Sequence, residues 1–250
     1  MVQNPNTEWI HCPCLQSWTY GRQATNHHRI RWRLLRTPEF VSTIMLGPGE
    51  RLDVLIDFSG STIGKEFYLV SNKFSEFNVQ GRQSFNLLKF KVDKSSGRNF
   101  SIPSMLSVID IVSSSQAVKT RVIDIAQMIG GEGGHGGMGR HSINGKIFEM
   151  DRVDETVSAG TTEIWEFDNL AGDEIHPMHI HGIQFQVLER IGGRNKILAS
   201  EKGWKDTILL MPGEKVKVIM TFPEYTGVFV FHCHNLEHED DGMMLNYKII

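Results

Sequence analysis

Residues 227–244 read GVFVFHCHNLEHEDDGMM, an apolar run that ends in His-Cys-His and continues into a third histidine and two methionines. A short run rich in valine and phenylalanine is typical of a buried strand. Successive side chains of a strand point to opposite faces of its sheet. We therefore expect Cys233 to face one way while His232 and His234 face the other. One strand end can then serve two sites, a thiolate site and an imidazole site.

A second histidine cluster lies upstream, in HPMHIHG at residues 176–182. Six of the eleven histidines of the chain fall in these two clusters, which is not the distribution expected of scattered surface residues. Because side chains two positions apart share a strand face, His179 and His181 should present their imidazoles together.

One cysteine, two histidines and a methionine are spaced to surround a single ion. Cys233, His238 and Met243 follow one another at five-residue intervals, and His176 can join them from the other cluster. Two imidazoles, a thiolate and a distant thioether suit a blue-copper electron-transfer centre. Zinc is the rival metal, because it also binds histidine and cysteine. The methionine and the single cysteine favour copper.

Short strands separated by Gly, Pro and Asn turns are predicted along most of the chain. The segment VSTIMLGPGERLDVLIDF should form a strand, a turn and a strand, and SINGKIFEM a strand pair around Asn-Gly. Further strands are expected in EFYLV, FNLLKFKV, RVIDIAQM, TTEIWEFDNL, IQFQVLERI and DTILLMPGEKVKVIMTF. No amphipathic helix of three turns or more is predicted. Evenly spaced short strands favour an all-β sandwich or barrel.

Composition argues against several classes of protein. A net charge of −3 offers no electrostatic case for binding nucleic acid or an anionic membrane. No apolar run approaches the roughly 20 residues that span a bilayer. The start, MVQNPNTEWIHCPC, lacks the basic-then-apolar order of a signal peptide, so the compartment stays open. Three cysteines cannot build a disulfide scaffold, and Cys12 and Cys14 fit no common metal site.

The order HPMHIHG, then HCHNLEHEDDGMM about fifty residues later, resembles the C-terminal copper signatures of the multicopper oxidases, closest to bacterial laccases and cuprous oxidases. LGPGERLDVLIDFS resembles the end of the second cupredoxin domain of that family, and GWKDTILLMPGEKVKV resembles part of its third. The resemblance implies a cupredoxin-like Greek-key β-sandwich or barrel. Its expected divisions are an unassigned segment 1–36, a partial second domain 37–95, a linker 96–120 and a complete C-terminal domain 121–250.

The resemblance also implies a role for each motif residue. The expected ligands of type 1 copper, which accepts electrons from substrate, are His176, Cys233, His238 and Met243. The expected ligand of type 2 copper is His179, and those of type 3 copper are His181, His232 and His234. Electrons would pass from Cys233 along its backbone to the flanking histidines and on to O₂. Glu239 would supply protons, which makes Cys233 and Glu239 the candidate catalytic residues.

The implied function is that of a laccase-like oxidase, which couples one-electron oxidation of small phenolic or aromatic substrates, or of Cu(I), to reduction of O₂ to water. The trinuclear cluster of the family takes eight histidines, half of them from two His-x-His motifs of a first domain. This sequence has no such motif before residue 179 and therefore resembles a truncated member. A homo-oligomer with type 2 and type 3 copper at a shared interface would complete the cluster. The alternative is a blue-copper electron-transfer or copper-binding protein without oxygen reduction. The family suggests a periplasmic or secreted location.

Residues beside these motifs carry weaker predictions. In and near the glycine-rich stretch GGEGGHGGMGRH (130–141), four side chains either bind cuprous ion weakly or belong to a plain surface loop: Met128, His135, Met138 and His141. Met244 is expected in the core.

Overall fold

The computed structural model describes residues 7–9, 35–73, 83–95, 101–126, 128–130 and 139–250. These residues belong to two compact units. The smaller unit includes Leu52–Val108, and the larger unit includes Leu46–Arg51 and Ile109–Ile250. Strands are the main regular structure of both units, which confirms the prediction of an all-β protein. The domain boundaries inferred from sequence stay a prediction.

The smaller unit contains a three-stranded sheet. Strand β1 (Thr7–Trp9) runs parallel to β2 (Glu66–Ser71), which pairs antiparallel with β3 (Phe85–Lys91). The two predicted strands EFYLV and FNLLKFKV are therefore confirmed.

The prediction of two strands in VSTIMLGPGERLDVLIDF is wrong, because residues 41–58 form no ladder with any described strand. A strand requires a hydrogen-bonded neighbour, and here the hydrogen bonds stay local. The N–H of Glu50 donates to the carbonyl of Gly47 at 3.1 Å, and the Glu50 carboxylate accepts from the N–H of Gly47 at 2.8 Å. The predicted Pro-Gly turn is present, but the segments on either side of it pair with no strand.

The larger unit is a sandwich of two five-stranded sheets, ordered β11-β10-β13-β8-β4 and β12-β9-β14-β15-β7, with a small β5-β6 ladder beside them. The strands are β4 (Ala117–Asp124), β5 (Met128–Ile129), β6 (Arg140–His141), β7 (Glu155–Val157), β8 (Thr162–Asn169), β9 (His176–Ile180), β10 (Phe185–Gly192), β11 (Trp204–Lys205), β12 (Thr207–Leu210), β13 (Glu214–Thr221), β14 (Gly227–Cys233) and β15 (Met244–Ile249). The short helix α1 (Leu236–Asp240) follows β14. Within the described residues, no helix combines the length and the apolar character needed to cross a membrane.

Aromatic side chains fill the space between the two sheets. Trp165 of β8 is fully buried, with its ring centroid 5.1 Å from that of Phe231 on β14 and 5.7 Å from that of Tyr247 on β15. Such edge-to-face pairs add to the stabilisation from burial. These contacts pack the core against β14, which lies in the middle of its sheet and ends in His232 and Cys233.

The Asn-Gly turn of SINGKIFEM exists, with positive φ at Asn144 and Gly145, but it closes a single bridge between Ile143 and Lys146 rather than two regular strands. The reason is competition from β4. The N–H of Asp124 donates to the Asn144 side chain at 2.7 Å, and the N–H of Asn144 donates to the Asp124 carbonyl at 2.8 Å. These bonds tie the turn to the end of β4.

Candidate metal centre

The two histidine motifs lie side by side on neighbouring antiparallel strands. In the register of β9 and β14, His232 is opposite His179 and Cys233 is opposite Met178. Strand β12 covers the other side of β9, with Thr207 opposite His179. Sheet pairing therefore joins two segments that are far apart in sequence.

The first cluster consists of His176, Cys233 and His238, all buried. The Cys233 Sγ lies 3.7 Å from His176 Nδ1 and 3.5 Å from His238 Nδ1, and the two Nδ1 atoms are 3.2 Å apart. An ion bonded to nitrogen and sulfur at about 2.0–2.3 Å holds its donors about 3.3–3.6 Å apart at tetrahedral angles. The three donor atoms therefore enclose a space that fits a transition-metal ion.

Helix α1 brings His238 back to the cysteine. The N–H of Met243 donates to the His238 carbonyl at 2.9 Å, and the N–H of Cys233 donates to the Met243 carbonyl at 3.1 Å. Met243 is fully buried, whereas Met244 is half-buried at the start of β15. The loop thus folds around the first cluster with Met243 against the backbone of Cys233.

Burial sets the protonation states of the first cluster. It lowers the pKa of His176 to about 3, assisted by His238 and His141, and it lowers the pKa of His238 to about 4. It raises the pKa of the Cys233 thiol to about 12. At neutral pH the imidazoles are neutral and ready to bind a metal, while the thiol must lose a proton on binding.

The second cluster lies on the other face of the β14 end. The ring nitrogens of His179, His181 and His232 include donor atoms within 4.8 Å of one another, with His181 Nε2 and His232 Nε2 3.1 Å apart. The His234 ring centroid is 5.7 Å from that of His179 and 5.3 Å from that of His232.

Burial also affects the protonation of the second cluster. It lowers the pKa of His179 to about 4, against the attraction of Asp206, and it lowers the pKa values of His181 and His232. Four imidazoles therefore lie together, and burial favours the neutral form of three of them, His179, His181 and His232.

Backbone and hydroxyl oxygens orient these rings. His179 Nδ1 is 2.9 Å from the Asp206 carbonyl and 3.0 Å from Thr207 Oγ1. His232 Nδ1 is 3.0 Å from the Cys233 carbonyl. A proton on each Nδ1 leaves Nε2 as the free lone pair, directed into the cluster.

The turn at 47–51 packs against the second cluster, a feature that the sequence did not indicate. The Arg51 guanidinium binds the Asp206 carboxylate at 2.9 and 2.6 Å and also donates to the Gly49 carbonyl. Burial opposes the charge of Asp206, yet Arg51 holds the pKa of that carboxyl below its ordinary value. A Cβ on Gly49 would lie only 2.4 Å from a carbon of the His234 ring. Only glycine allows this approach.

Glu239 lies at the rim of the second cluster. Its Oε2 is 3.5 Å from His232 Nδ1, and 32% of its side chain is exposed. It therefore stands between solvent and a buried imidazole, as a residue that moves protons would. That role stays a prediction.

A third group adjoins the first cluster, and its carboxylate, Glu174, was missed from the sequence. Glu174 Oε2 is 2.9 Å from His238 Nε2 and 3.5 Å from His141 Nε2. The ring of His141 lies on that of His238, with centroids 3.7 Å apart. His141 thus lies beside the candidate centre. The predictions for His135, Met138, Cys12, Cys14 and the side chain of Met128 fall outside the described residues.

Comparison with known proteins places these features in one family. A family model described as multicopper oxidase matches residues 112–250. The laccase of Haloferax volcanii is 32% identical over 219 residues, which are 84% of this chain and 35% of that protein. The laccase of Bacillus subtilis is also 32% identical, over 82% of this chain and 42% of its own length.

The solved structures agree in fold. A variant of the McoA multicopper oxidase from Aquifex aeolicus matches with a TM-score of 0.74 and 32% identity, over 86% of this chain and 48% of that one. A laccase from Pediococcus acidilactici matches with a TM-score of 0.71 and 35% identity, over 87% of this chain and 43% of that one. These matches confirm the predicted cupredoxin-like sandwich, and the chain spans about a third to a half of the relatives named here. The chain belongs to the multicopper oxidase family.

Proposed function

We propose that this chain carries the electron-accepting copper centre and half of the oxygen-reducing centre of a laccase-like oxidase. The observation that supports this most strongly is the end of β14, where Cys233 belongs to one cluster and its neighbour His232 to another. Two metal sites joined by adjacent residues are suited to passing electrons from one to the other.

The donors of the first cluster suit type 1 copper, with His176, Cys233 and His238 as ligands and Met243 as the weak fourth. Two imidazoles, one thiolate and a thioether match the preferences of a blue-copper centre better than those of zinc. His179 would hold type 2 copper, and His181, His232 and His234 would hold type 3 copper. When bound, copper supplies the one-electron chemistry that links reductant to O₂.

The protein's own residues supply burial, orientation and protons. The first cluster is closed to water, which restricts reductants to outer-sphere contact through exposed neighbours. The second cluster is oriented by Asp206, Thr207 and the Cys233 carbonyl. Glu239 would carry a proton on its carboxyl group from solvent toward the imidazole cluster, because it is partly exposed and 3.5 Å from His232.

The reductant would be a small phenolic or aromatic molecule or cuprous ion, with O₂ as acceptor. The laccase relatives support this class of substrate. The described residues contribute four of the eight histidines that the family uses, so four more must come from elsewhere. We propose a second copy of this chain as their source, since closed twofold dimers are the commonest oligomers. A further domain is the other source.

Copper content, oligomeric state and oxygen uptake test the proposal together. A shared cluster predicts a dimer with about five copper ions, two of type 1 and three between the copies. Native mass spectrometry measures the stoichiometry, and an oxygen electrode measures uptake with a phenol or Cu(I). About one copper per monomer, with a blue colour and no oxygen uptake, would contradict the oxidase and leave an electron-transfer protein.

A further inference from the structure

We propose that Glu174 is the positioning residue of the first cluster: its carboxylate accepts the Nε2 proton of His238, directs Nδ1 toward Cys233 and His176, and lowers the reduction potential of the bound ion. This inference rests on the proposed function, because it concerns the same type 1 site.

The two nitrogens of His238 have different partners on opposite sides of the ring. Nε2 is 2.9 Å from Glu174 Oε2, whereas Nδ1 is 3.5 Å from Cys233 Sγ and 3.2 Å from His176 Nδ1. A neutral imidazole has one N–H, and an ionised carboxylate can only accept. The proton therefore belongs on Nε2, which leaves the Nδ1 lone pair for the ion.

Asn235 is the competing partner, because its Nδ2 lies 3.3 Å from the same Nε2. An amide N–H donating to Nε2 would require the opposite tautomer, with the proton on Nδ1 and no lone pair for the ion. The carboxylate contact is shorter, and hydrogen bonds to an ionised acceptor are about twice as strong as neutral ones. Glu174 therefore decides the tautomer.

A buried asparagine holds the main chain of Glu174 in place. The Nδ2 of Asn169 donates to the Glu174 carbonyl at 2.9 Å and to the Met211 carbonyl at 3.1 Å. Gly172 packs so closely on Asn169 that a Cβ would lie 1.9 Å from its side-chain oxygen. The carboxylate is thus presented by a loop anchored in the core, as positioning of a metal ligand requires.

His141 packs against the same histidine. Its ring lies on that of His238, and its backbone N–H donates to Asp241 Oδ2 at 3.0 Å. Arg140 Nε donates to the other oxygen of Asp241 at 3.0 Å. The segment that carries His141 is therefore fastened to the end of helix α1, and the His141 ring is held against His238.

A negative acceptor on Nε2 makes the imidazole a better electron donor at Nδ1 and stabilises the more positive oxidation state of the ion. Glutamine can accept the same proton without the charge. Glu174→Gln should therefore raise the reduction potential and weaken copper binding by about tenfold or more, the usual effect of removing such a partner. Asp173→Asn is the matched control, because it removes an exposed charge from the adjacent residue.

Two measurements decide the matter. In the metal-free wild-type protein, ¹⁵N NMR of His238 should show the Nε2–H tautomer, and Glu174→Ala should populate the other one. In the copper-loaded protein, a redox titration of the blue band should give a higher potential for Glu174→Gln and an unchanged one for Asp173→Asn. An Nδ1–H tautomer in the wild type, or equal potentials for the two variants, would overturn the proposal. A wild type without a blue band would refute the type 1 assignment, and the metal-free tautomer would still test the role of Glu174.

Discussion

Replacing His176 with glutamine should make the metal-free protein less sensitive to acid. Burial lowers the pKa of this imidazole to about 3 in the folded state, from an ordinary value of 6.5. Below 6.5 the unfolded chain therefore binds a proton that the folded chain refuses. The contribution of neutral His176 to the free energy of unfolding is fully present above pH 6.5 and is lost as the pH drops toward the folded pKa.

The size of the effect follows from these two values. Each pH unit below the unfolded pKa lowers the free energy of unfolding by about 1.4 kcal/mol, as long as the folded imidazole stays neutral. At about pH 5 the unfolded histidine lies about one and a half units below its pKa, so the loss is about 2 kcal/mol. His176 is 3% exposed, so solvent screening removes little of this.

Urea unfolding measures how much the free energy of unfolding decreases between about pH 7.5 and about pH 5 in each protein. Tryptophan fluorescence follows the transition, and a chelator keeps the protein metal-free. Other titrating groups act in both wild type and His176→Gln, so the difference between the two losses isolates His176. We expect a difference of about 2 kcal/mol. An equal loss in both proteins would mean that His176 takes up its proton without unfolding, which would refute the argument from burial.

Cys233→Ser should abolish the intense blue colour of the copper-loaded protein, because a hydroxyl is a poor soft ligand; an unchanged visible spectrum would rule out Cys233 as the ligand. Glu239→Gln should keep the copper content but slow oxygen uptake by about 10²-fold or more. Normal uptake in that variant would exclude a proton role for Glu239. Gly49→Ala should lower the copper content of the second cluster, because its Cβ would meet the His234 ring. Gly213→Ala controls for backbone strain, since its φ of +72 resembles the +76 of Gly49 but nothing lies within 4 Å of its Cβ; equal copper loss in both variants would argue against the contact.

The sequence alone determined the features that depend on local backbone geometry. Alternation along a strand separates Cys233 from His232 whatever the rest of the chain does. The same rule pairs His179 with His181, and strand and turn composition was enough to predict an all-β sandwich or barrel. The two histidine motifs were also specific enough to identify the family. The ligand roles inferred from them stay predictions.

Tertiary structure alone decided the contacts that support the clusters. Arg51 and Asp206 are 155 residues apart, and no local pattern marks them as partners. From the sequence, Glu174 was an ordinary acidic loop residue. Only the folded structure shows its carbonyl bound by Asn169 and its carboxylate bound to His238. The segments on either side of the turn at Pro48 and Gly49 form no strands for the same reason, since a strand exists only where a neighbour offers its backbone. Periodicity along a chain describes one element, whereas these contacts depend on which elements meet.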